Sequence, residues 1–423
     1  MTTILLLLGL ANLLVLVYFV AVNLFQTVLI SSAGASLGRH HRTSWCDDPR
    51  RLLGSEVAPP ISVLAPAHNE ATTIVESVRA LLALRYPRME IVVVNDGSTD
   101  DTLARLADAF ALAPVYPVFR RRLETAPIRG LYRSRLHPRL VVVDKDNGGK
   151  ADALNAALNV ITGDLACALD ADTLVESDAL LRMVRPFIRD PRVVAVGGTI
   201  RVVNGSDVSH GRVVRRRVPR RALAGIQSVE YLRAFLFGRL DWNRLGGNLI
   251  ISGAFGLFDR EAVLLAGGYE AETVGEDMEL ITKIRRLAAE ADIPGRVEFL
   301  PDPIAWTEVP STLRVLGAQR DRWHRGLADA LWRHRTMIGN PRYGVLGTFV
   351  APVFVLLELL APVIELFGLI AVVVALAFGA VDLQFAGLLL VAAYGWGLLL
   401  SLWRSRWRSS ASSGSAAPST ACC

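Results

Sequence analysis

Two aspartates separated by one residue, Asp170 and Asp172 in "CALDADTLVES" (residues 167–177), follow the apolar run "LACAL". Side chains alternate along a strand, so two residues so spaced share a face while the strand continues. At the strand's C-terminal end both carboxylates meet one ligand, in the crevice where open α/β sheets bind theirs. Left bare they repel each other, and a divalent cation held between them and a phosphate removes that conflict. The same residues also suit a strand end followed by a helix cap, so the pair alone leaves both readings open. A second acidic pair, Glu276–Asp277 in "VGEDMELITKI", opens a helical pattern. By itself it reads as carboxylates favoured by a helix N-terminus.

The elements that must position these groups alternate. "ISVLAPA" (61–67) is a buried-strand run, followed by the helical pattern "NEATTIVESVRALLAL" with Val75, Val78, Leu81 and Leu82 on one side. "MEIVVVNDGSTDDT" is a β-branched strand ending in a turn, where Ser98, Asp100 and Asp101 supply capping groups for the next helix. "RLVVVDK" runs into "NGGKADALNAALNVI", and "DLACALDADT" repeats the scheme before a helix from about Ser177. This alternation predicts an α/β fold with a doubly wound, mostly parallel sheet. The polar turns "AHNE", "NDGS", "DNGGK" and "DADT" then converge on the edge where such sheets bind ligands. The sequence holds no G-x-G-x-x-G and no Walker A pattern, which disfavours a Rossmann oxidoreductase and a P-loop ATPase. The chemistry must come from carboxylates.

Hydrophobic residues make up 52% of the 423, and the excess is concentrated at the two ends. Residues 4–30 carry no charge and exceed the roughly 20 residues that span a bilayer. A cleaved signal peptide fits poorly, because a basic n-region is missing and the apolar run is too long. Further apolar stretches run from about Val345 to Ala380 and from about Phe385 to Trp403, separated by "GAVDLQ". Arg39, Arg42, Arg50 and Arg51 follow the first stretch, and Arg404, Arg406 and Arg408 follow the last. The positive-inside rule then places the middle domain and the C-terminus in the cytoplasm of a multi-pass protein of the cell (inner or plasma) membrane. Cys46, Cys167, Cys422 and Cys423 match no zinc framework, and cytoplasmic thiols stay reduced. The formal net charge of +6 owes much to "FRRRLETAPIRGLYRSRLHPR" (119–139) and "RVVRRRVPRR" (212–221). These read as solvated or lipid-facing surface. Their aromatic interleaving is too thin for a nucleic-acid platform.

Six segments, "VVVNDGSTDDT", "NGGKADALNAAL", "LDADT", "SGAFGLFDR", "VGEDMEL" and "QRDRW", occur in this order between the apolar stretches. Together they resemble the membrane-embedded family 2 glycosyltransferases, the group of cellulose, chitin and hyaluronan synthases and bacterial poly-N-acetylglucosamine synthases, over about residues 55–345. The resemblance implies a GT-A-like cytoplasmic domain flanked by transmembrane helices. It implies that Asn69, Glu70 and Asp96 hold the uracil and ribose of a UDP-sugar, with Gly149 and Lys150 near the nucleotide. Asp170 and Asp172 would place Mg2+ or Mn2+ on the diphosphate, and Asp277, beside Glu276, would be the base. Inverting sugar transfer needs such a group to deprotonate the attacking hydroxyl. Gly275 stands where the family usually has Thr, a change expected to loosen the turn. Gln319 and Arg322 fall at the Q and R of Q-x-x-R-W, where an arginine fork suits a leaving diphosphate. Trp323 would form part of the acceptor site, bordered by Ser252, Gly253 and Phe255. His324 fits no metal-ligand spacing and reads as structural.

The resulting layout is an N-terminal span (1–31), a catalytic domain (55–323), an interfacial amphipathic helix (324–344), two further spans (345–403) and a disordered tail (404–423). Glu358 and Glu365 lie seven apart, on roughly one helical face. Carboxylates in a span are costly, so these are expected to line a polysaccharide path or to pair with arginines of the interfacial helix. Many relatives carry more C-terminal spans, so a polymer channel here calls for oligomerisation or an accessory subunit. The expected acceptor is a growing polysaccharide, with a lipid-linked acceptor as the alternative.

Overall fold

The structure is a computed structural model that describes residues 2–45, 49–55, 57–116, 118–170, 173–209 and 211–395. It divides into two units, Met1–Asp47 with Ala351–Cys423, and Asp48–Val350. The chain begins with α1 (Thr2–Trp45). Twelve strands follow: β1 (Ile61–Ala67), β2 (Met89–Asp96), β3 (Leu112–Pro114), β4 (Ile128–Ser134), β5 (Leu140–Lys145), β6 (Leu165–Leu169), β7 (Leu174–Val175), β8 (Val193–Val202), β9 (Asp207–Ser209), β10 (Arg212–Arg215), β11 (Phe255–Asp259) and β12 (Arg296–Thr307). The helices used below are α2 (Ile74–Leu82), α3 (Thr102–Phe110), α4 (Lys150–Val160), α5 (Ala222–Leu232), α6 (Glu276–Glu290) and α7 (Leu313–Arg333).

Ten strands form one sheet in the order β3-β4-β5-β2-β1-β6-β11-β8-β12-β7. The four expected strands, β5-β2-β1-β6, are its parallel centre. Outside them β4 and β11 pair antiparallel, and β12 runs parallel to β8. The central strands are apolar on both faces because helices cover both. Ile91, Val93 and Val142 pack with Val78, Leu81, Leu106 and Phe110 of α2 and α3. Their neighbours Val92, Val94, Val141 and Val143 pack with Leu154, Leu158, Ile281 and Ile284 of α4 and α6. Each fully buried aliphatic side chain contributes about 1.5–3 kcal/mol. The register sets Asp96 opposite Lys145 at the C-terminal edge, where β1, β2, β5 and β6 all end.

The boundary drawn between residues 323 and 324 falls inside α7, which is continuous through Q-x-x-R-W. Its N-cap explains the earlier start, since Thr312 accepts the Val315 N–H.

In the apolar unit, the segment Leu6–Ser32 of α1 is long and apolar enough to cross a membrane. Leu346–Leu359 and Ala361–Ala377 (α8) meet that test together, but with a 48° bend between them. Pro362, within the first turn of α8, lacks an N–H, and its ring clashes with the carbonyl four residues back. Glu358 and Glu365 therefore lie on either side of a break, both exposed, and not along one continuous helix. Helices α1 and α8 pack closely, and a Cβ on Gly368 would stand 2.6 Å from Val15 Cγ1. Asn12 Nδ2 donates to Leu8 O at 2.8 Å and to Ala371 O at 3.3 Å, a polar contact of the kind that joins helices in lipid. Only residues 385–395 of the expected third span lie within the described residues, as helix and then a wider turn.

Candidate active site

The turn after β1 is tied to the turn after β2. Asn69 sits at φ 57°, a left-handed conformation that asparagine tolerates. Its N–H donates to Ser98 Oγ at 3.0 Å and its Oδ1 accepts the Thr99 N–H at 2.8 Å. The Glu70 N–H donates to Thr102 Oγ1 at 2.9 Å, and Glu70 Oε2 accepts the Thr73 hydroxyl at 2.6 Å. Gly97, at φ 61°, could carry no side chain, because a Cβ would stand 2.5 Å from Asn147 N.

Asp96 is 2% exposed and both its oxygens are engaged by the chain. Oδ1 accepts from Lys145 Nζ at 2.6 Å and from the Gly148 N–H at 3.0 Å, while Oδ2 accepts the Gly149 N–H at 2.8 Å. The wholly buried Lys145 also reaches Asp152 Oδ1 at 2.5 Å. Asp96 thus shapes the glycine turn between β5 and α4. Sequence reasoning passed over Lys145, although a charge closing the β-branched run "RLVVVDK" was a signal that it must find a carboxylate.

From that turn the next residue reaches across the site. The Lys150 ammonium lies 2.7 Å from Asp170 Oδ1 and 2.9 Å from Glu276 Oε1. Burial alone would lower its pKa, but these two carboxylates outweigh that and hold it above the ordinary lysine value. Asp277 Oδ2 accepts the Gly253 N–H at 2.8 Å, and Oδ1 accepts the Met278 N–H at 2.9 Å. Burial, and then the charge of Glu276, raises the Asp277 carboxyl above its usual range, against the pull of Lys150 and the two N–H donors. Lys150, Ser252, Gly253, Tyr269, Glu276 and Asp277 line one cleft.

Tyr269 is a cleft residue that the sequence did not single out. Its backbone pairs reciprocally with the Asn155 side chain, each bond 2.8 Å long. Burial raises its phenol, which keeps it a neutral O–H donor. The adjacent glycines of "GGYE", Gly267 and Gly268, both at positive φ, were the available signal. Phe255 is not brought to the cleft. It is 1% exposed and fills the core at the start of β11, so the expectation that it borders an acceptor is corrected.

Helix α7 carries the remaining candidates. Gln319 is half-buried, and its Oε1 lacks a hydrogen-bond partner among the described residues. Arg322 is exposed, and Trp323 is 44% exposed. The Trp323 ring is braced on two sides. The Arg320 guanidinium lies 4.9 Å from its centroid, and the Tyr231 ring lies 6.5 Å from it. Arg320 is itself held by Glu230 of α5 at 2.5 Å. The segment "GIQSVEYLRAFLFGRL", which carries Glu230 and Tyr231, therefore supports the tryptophan. His324 is half-buried within α7.

Asp172 lies outside the described residues. Among the described residues no three His, Cys, Asp or Glu gather as a metal cage. Asp170 nevertheless offers a hard carboxylate oxygen beside Lys150, and Mg2+ is commonly held by one or two carboxylates plus substrate phosphates. The donor set fits Mg2+ or Mn2+ bound in that way.

The profile of "Glycosyl transferase family 2" matches residues 62–263, and that of "Glycosyl transferase family group 2" matches residues 167–405, more than half of the chain. The chain belongs to the family 2 glycosyltransferases. Among curated proteins it is similar to the poly-beta-1,6-N-acetyl-D-glucosamine synthase of Staphylococcus aureus (strain COL), 31% identical over 276 residues, covering 64% of this chain and 56% of that protein. The synthase of the same name from Staphylococcus epidermidis is 28% identical over 273 residues with the same coverage. The chain thus spans about half the length of the curated relatives it matches. A solved mannosyltransferase from Pyrobaculum calidifontis, in complex with GDP-Man and Mn2+, shares the fold with a TM-score of 0.54 at 23% identity, covering 89% of this chain and 92% of that one. The GT-A-like architecture of this glycosyltransferase is thereby established.

Proposed function

We propose that this glycosyltransferase is an inverting, processive enzyme that extends a β-linked polysaccharide from a UDP-sugar, with N-acetylglucosamine as the first candidate sugar. The observation that carries the reading is Asp277, a half-buried carboxylate oriented by the Gly253 N–H in the same cleft as Lys150 and Glu276. The names of the curated relatives support the choice of sugar and polymer.

In the proposed step the acceptor hydroxyl attacks the anomeric carbon and passes its proton to Asp277. The new carbon–oxygen bond forms as the bond to the diphosphate oxygen breaks, with inversion. A carboxylate whose pKa burial has raised is the stronger base for this. Asp170, with Asp172, would hold Mg2+ or Mn2+, which when bound neutralises charge on the diphosphate. The turns bearing Asn69, Glu70 and Gly149, shaped by Asp96, would take the nucleoside. Arg322, which forms no ion pair among the described residues, would meet the departing diphosphate, with Gln319 beside it on α7. Trp323 offers the acceptor ring an apolar face, and Ser252 and Gly253 border its path. We place the catalytic unit on the cytoplasmic side of the cell membrane, anchored by α1, with a second copy or an accessory subunit completing a polymer path.

The test uses the full chain purified in lipid, with Mg2+ or Mn2+ and a panel of radiolabelled UDP-sugars. A high-molecular-weight ladder from one donor, absent in Asp277→Asn, is the expected result. A single small product in the organic phase would replace this reading with one transfer onto a membrane lipid. Failure to consume any UDP-sugar would overturn it.

A further inference from the structure

We propose that Gly275 and Gly326 form a seat that fixes how closely α7 approaches the base turn, and that the Glu279–His334 pair locks the same two helices further along. All four are then positioning residues for the acceptor, a proposal that rests on Asp277 being the base.

Gly275 is the N-cap of α6, two residues before Asp277. Its φ of −117° is open to any residue, so its requirement is space and not backbone conformation. A Cβ on Gly275 would stand 2.9 Å from Gly326 Cα and 3.1 Å from Gly326 C. A Cβ on Gly326 would stand 2.9 Å from Gly275 Cα and 3.1 Å from Gly275 N. Every one of these atoms is backbone and cannot rotate aside. The expectation that glycine at 275 loosens the turn is therefore corrected, since the missing side chain admits α7 into direct backbone contact. Gly326 is unfavourable inside a 21-residue helix, and this contact gives it a purpose.

The spacing along α7 ties the seat to the acceptor residues. Gln319, Trp323 and Gly326 are spaced by four and three, and Arg322 lies three from Gln319 and four from Gly326, so all four flank one side of the helix. That face continues through the buried Ala330 to His334 at the end of α7. There His334 Nε2 lies 3.3 Å from Glu279 Oε1, both groups buried, while Lys283 Nζ lies 3.2 Å from Glu279 Oε2. His334 Nδ1 has no partner among the described residues, and the tautomer with its proton on Nε2 gives the Glu279 carboxylate a donor. Burial alone would raise the Glu279 carboxyl, but His334 and Lys283 outweigh it and hold it below the usual glutamate range. Two independent contacts thus set the placement of Trp323 relative to Asp277.

The experiment compares full-length wild type, Gly326→Ala and Gly275→Ala in lipid, measuring sugar transfer, UDP-sugar hydrolysis by water and UDP binding. Transfer should fall about tenfold or more in both variants while hydrolysis persists and the UDP dissociation constant stays within about twofold, because a shift near one ångström at a positioned acceptor costs that much or more. His334→Leu should lower the transfer-to-hydrolysis ratio in the same way, and His334→Gln, whose amide can still donate to Glu279, should restore it. An unchanged ratio in the glycine variants, or transfer, hydrolysis and UDP binding falling together, would overturn the seat and leave the assignment of Asp277 standing. Wild type that neither transfers nor hydrolyses any UDP-sugar would instead overturn the enzyme reading beneath it.

Discussion

Asp277 Oδ2 accepts the Gly253 N–H at 2.8 Å, so the segment that leads into β11 aims the side chain at the head of α6. This bond joins two parts of the chain 24 residues apart and gives the carboxylate one orientation in the cleft. Replacing Asp277 with Asn keeps an oxygen for that bond but removes the proposed base. Turnover should fall by about 10²- to 10⁴-fold, the usual worth of a positioned general base, with UDP binding retained. Steady-state rates beside a UDP titration check this.

The pH profile should report the raised Asp277 carboxyl. A base must be deprotonated to act, so the acid limb of the rate profile should lie above the ordinary carboxylate range. Glu276→Gln removes the like charge that helps to raise it and should move that limb to lower pH. Stability carries the opposite sign. A carboxyl whose folded pKa is raised contributes stability below its unfolded pKa and loses it as pH rises through the folded value. Asp277→Asn should therefore raise the apparent Tm by a few degrees near neutral pH, measured by thermal scans across the pH range.

Lys150 supplies the positive charge that Asp170 and Glu276 share. Lys150→Gln leaves the two carboxylates without it, which favours an incoming cation. Mn2+ affinity of the donor-free protein should rise about tenfold, read from the EPR signal of free Mn2+. An unchanged affinity would mean that Asp170 does not meet the metal.

Lys145 is wholly buried between Asp96 and Asp152. Lys145→Met strands the Asp96 carboxylate inside the protein, and breaking a buried pair in this way costs about 3–5 kcal/mol. The denaturant midpoint of the purified protein should fall accordingly. UDP binding by whatever fraction remains folded should weaken too, because the Gly148–Gly149 turn loses the group that shapes it.

The sequence by itself determined the parallel centre of the sheet. Its β-branched runs are too apolar to be anything but strands covered on both faces, and each ends in a polar turn. Local chemistry of that kind needs no knowledge of distant residues. The apolar stretch of α1 and the acidic pairs were legible for the same reason. The tertiary structure decided which groups meet. Nothing in the spacing of Lys150, Asp170 and Glu276 says that one ammonium joins both carboxylates, because the contact depends on how α4, β6 and α6 stack. Phe255 and Glu358 show the reverse error. A short motif assigned the first to a ligand and a helical count ran the second and Glu365 along one helix, but packing put the one in the core and Pro362 broke the helix under the other. Gly275 makes the same point. Its identity was visible as a missing side chain, yet whether that absence loosens a turn or admits a helix depends on what lies opposite, and only the folded chain brings Gly326 there.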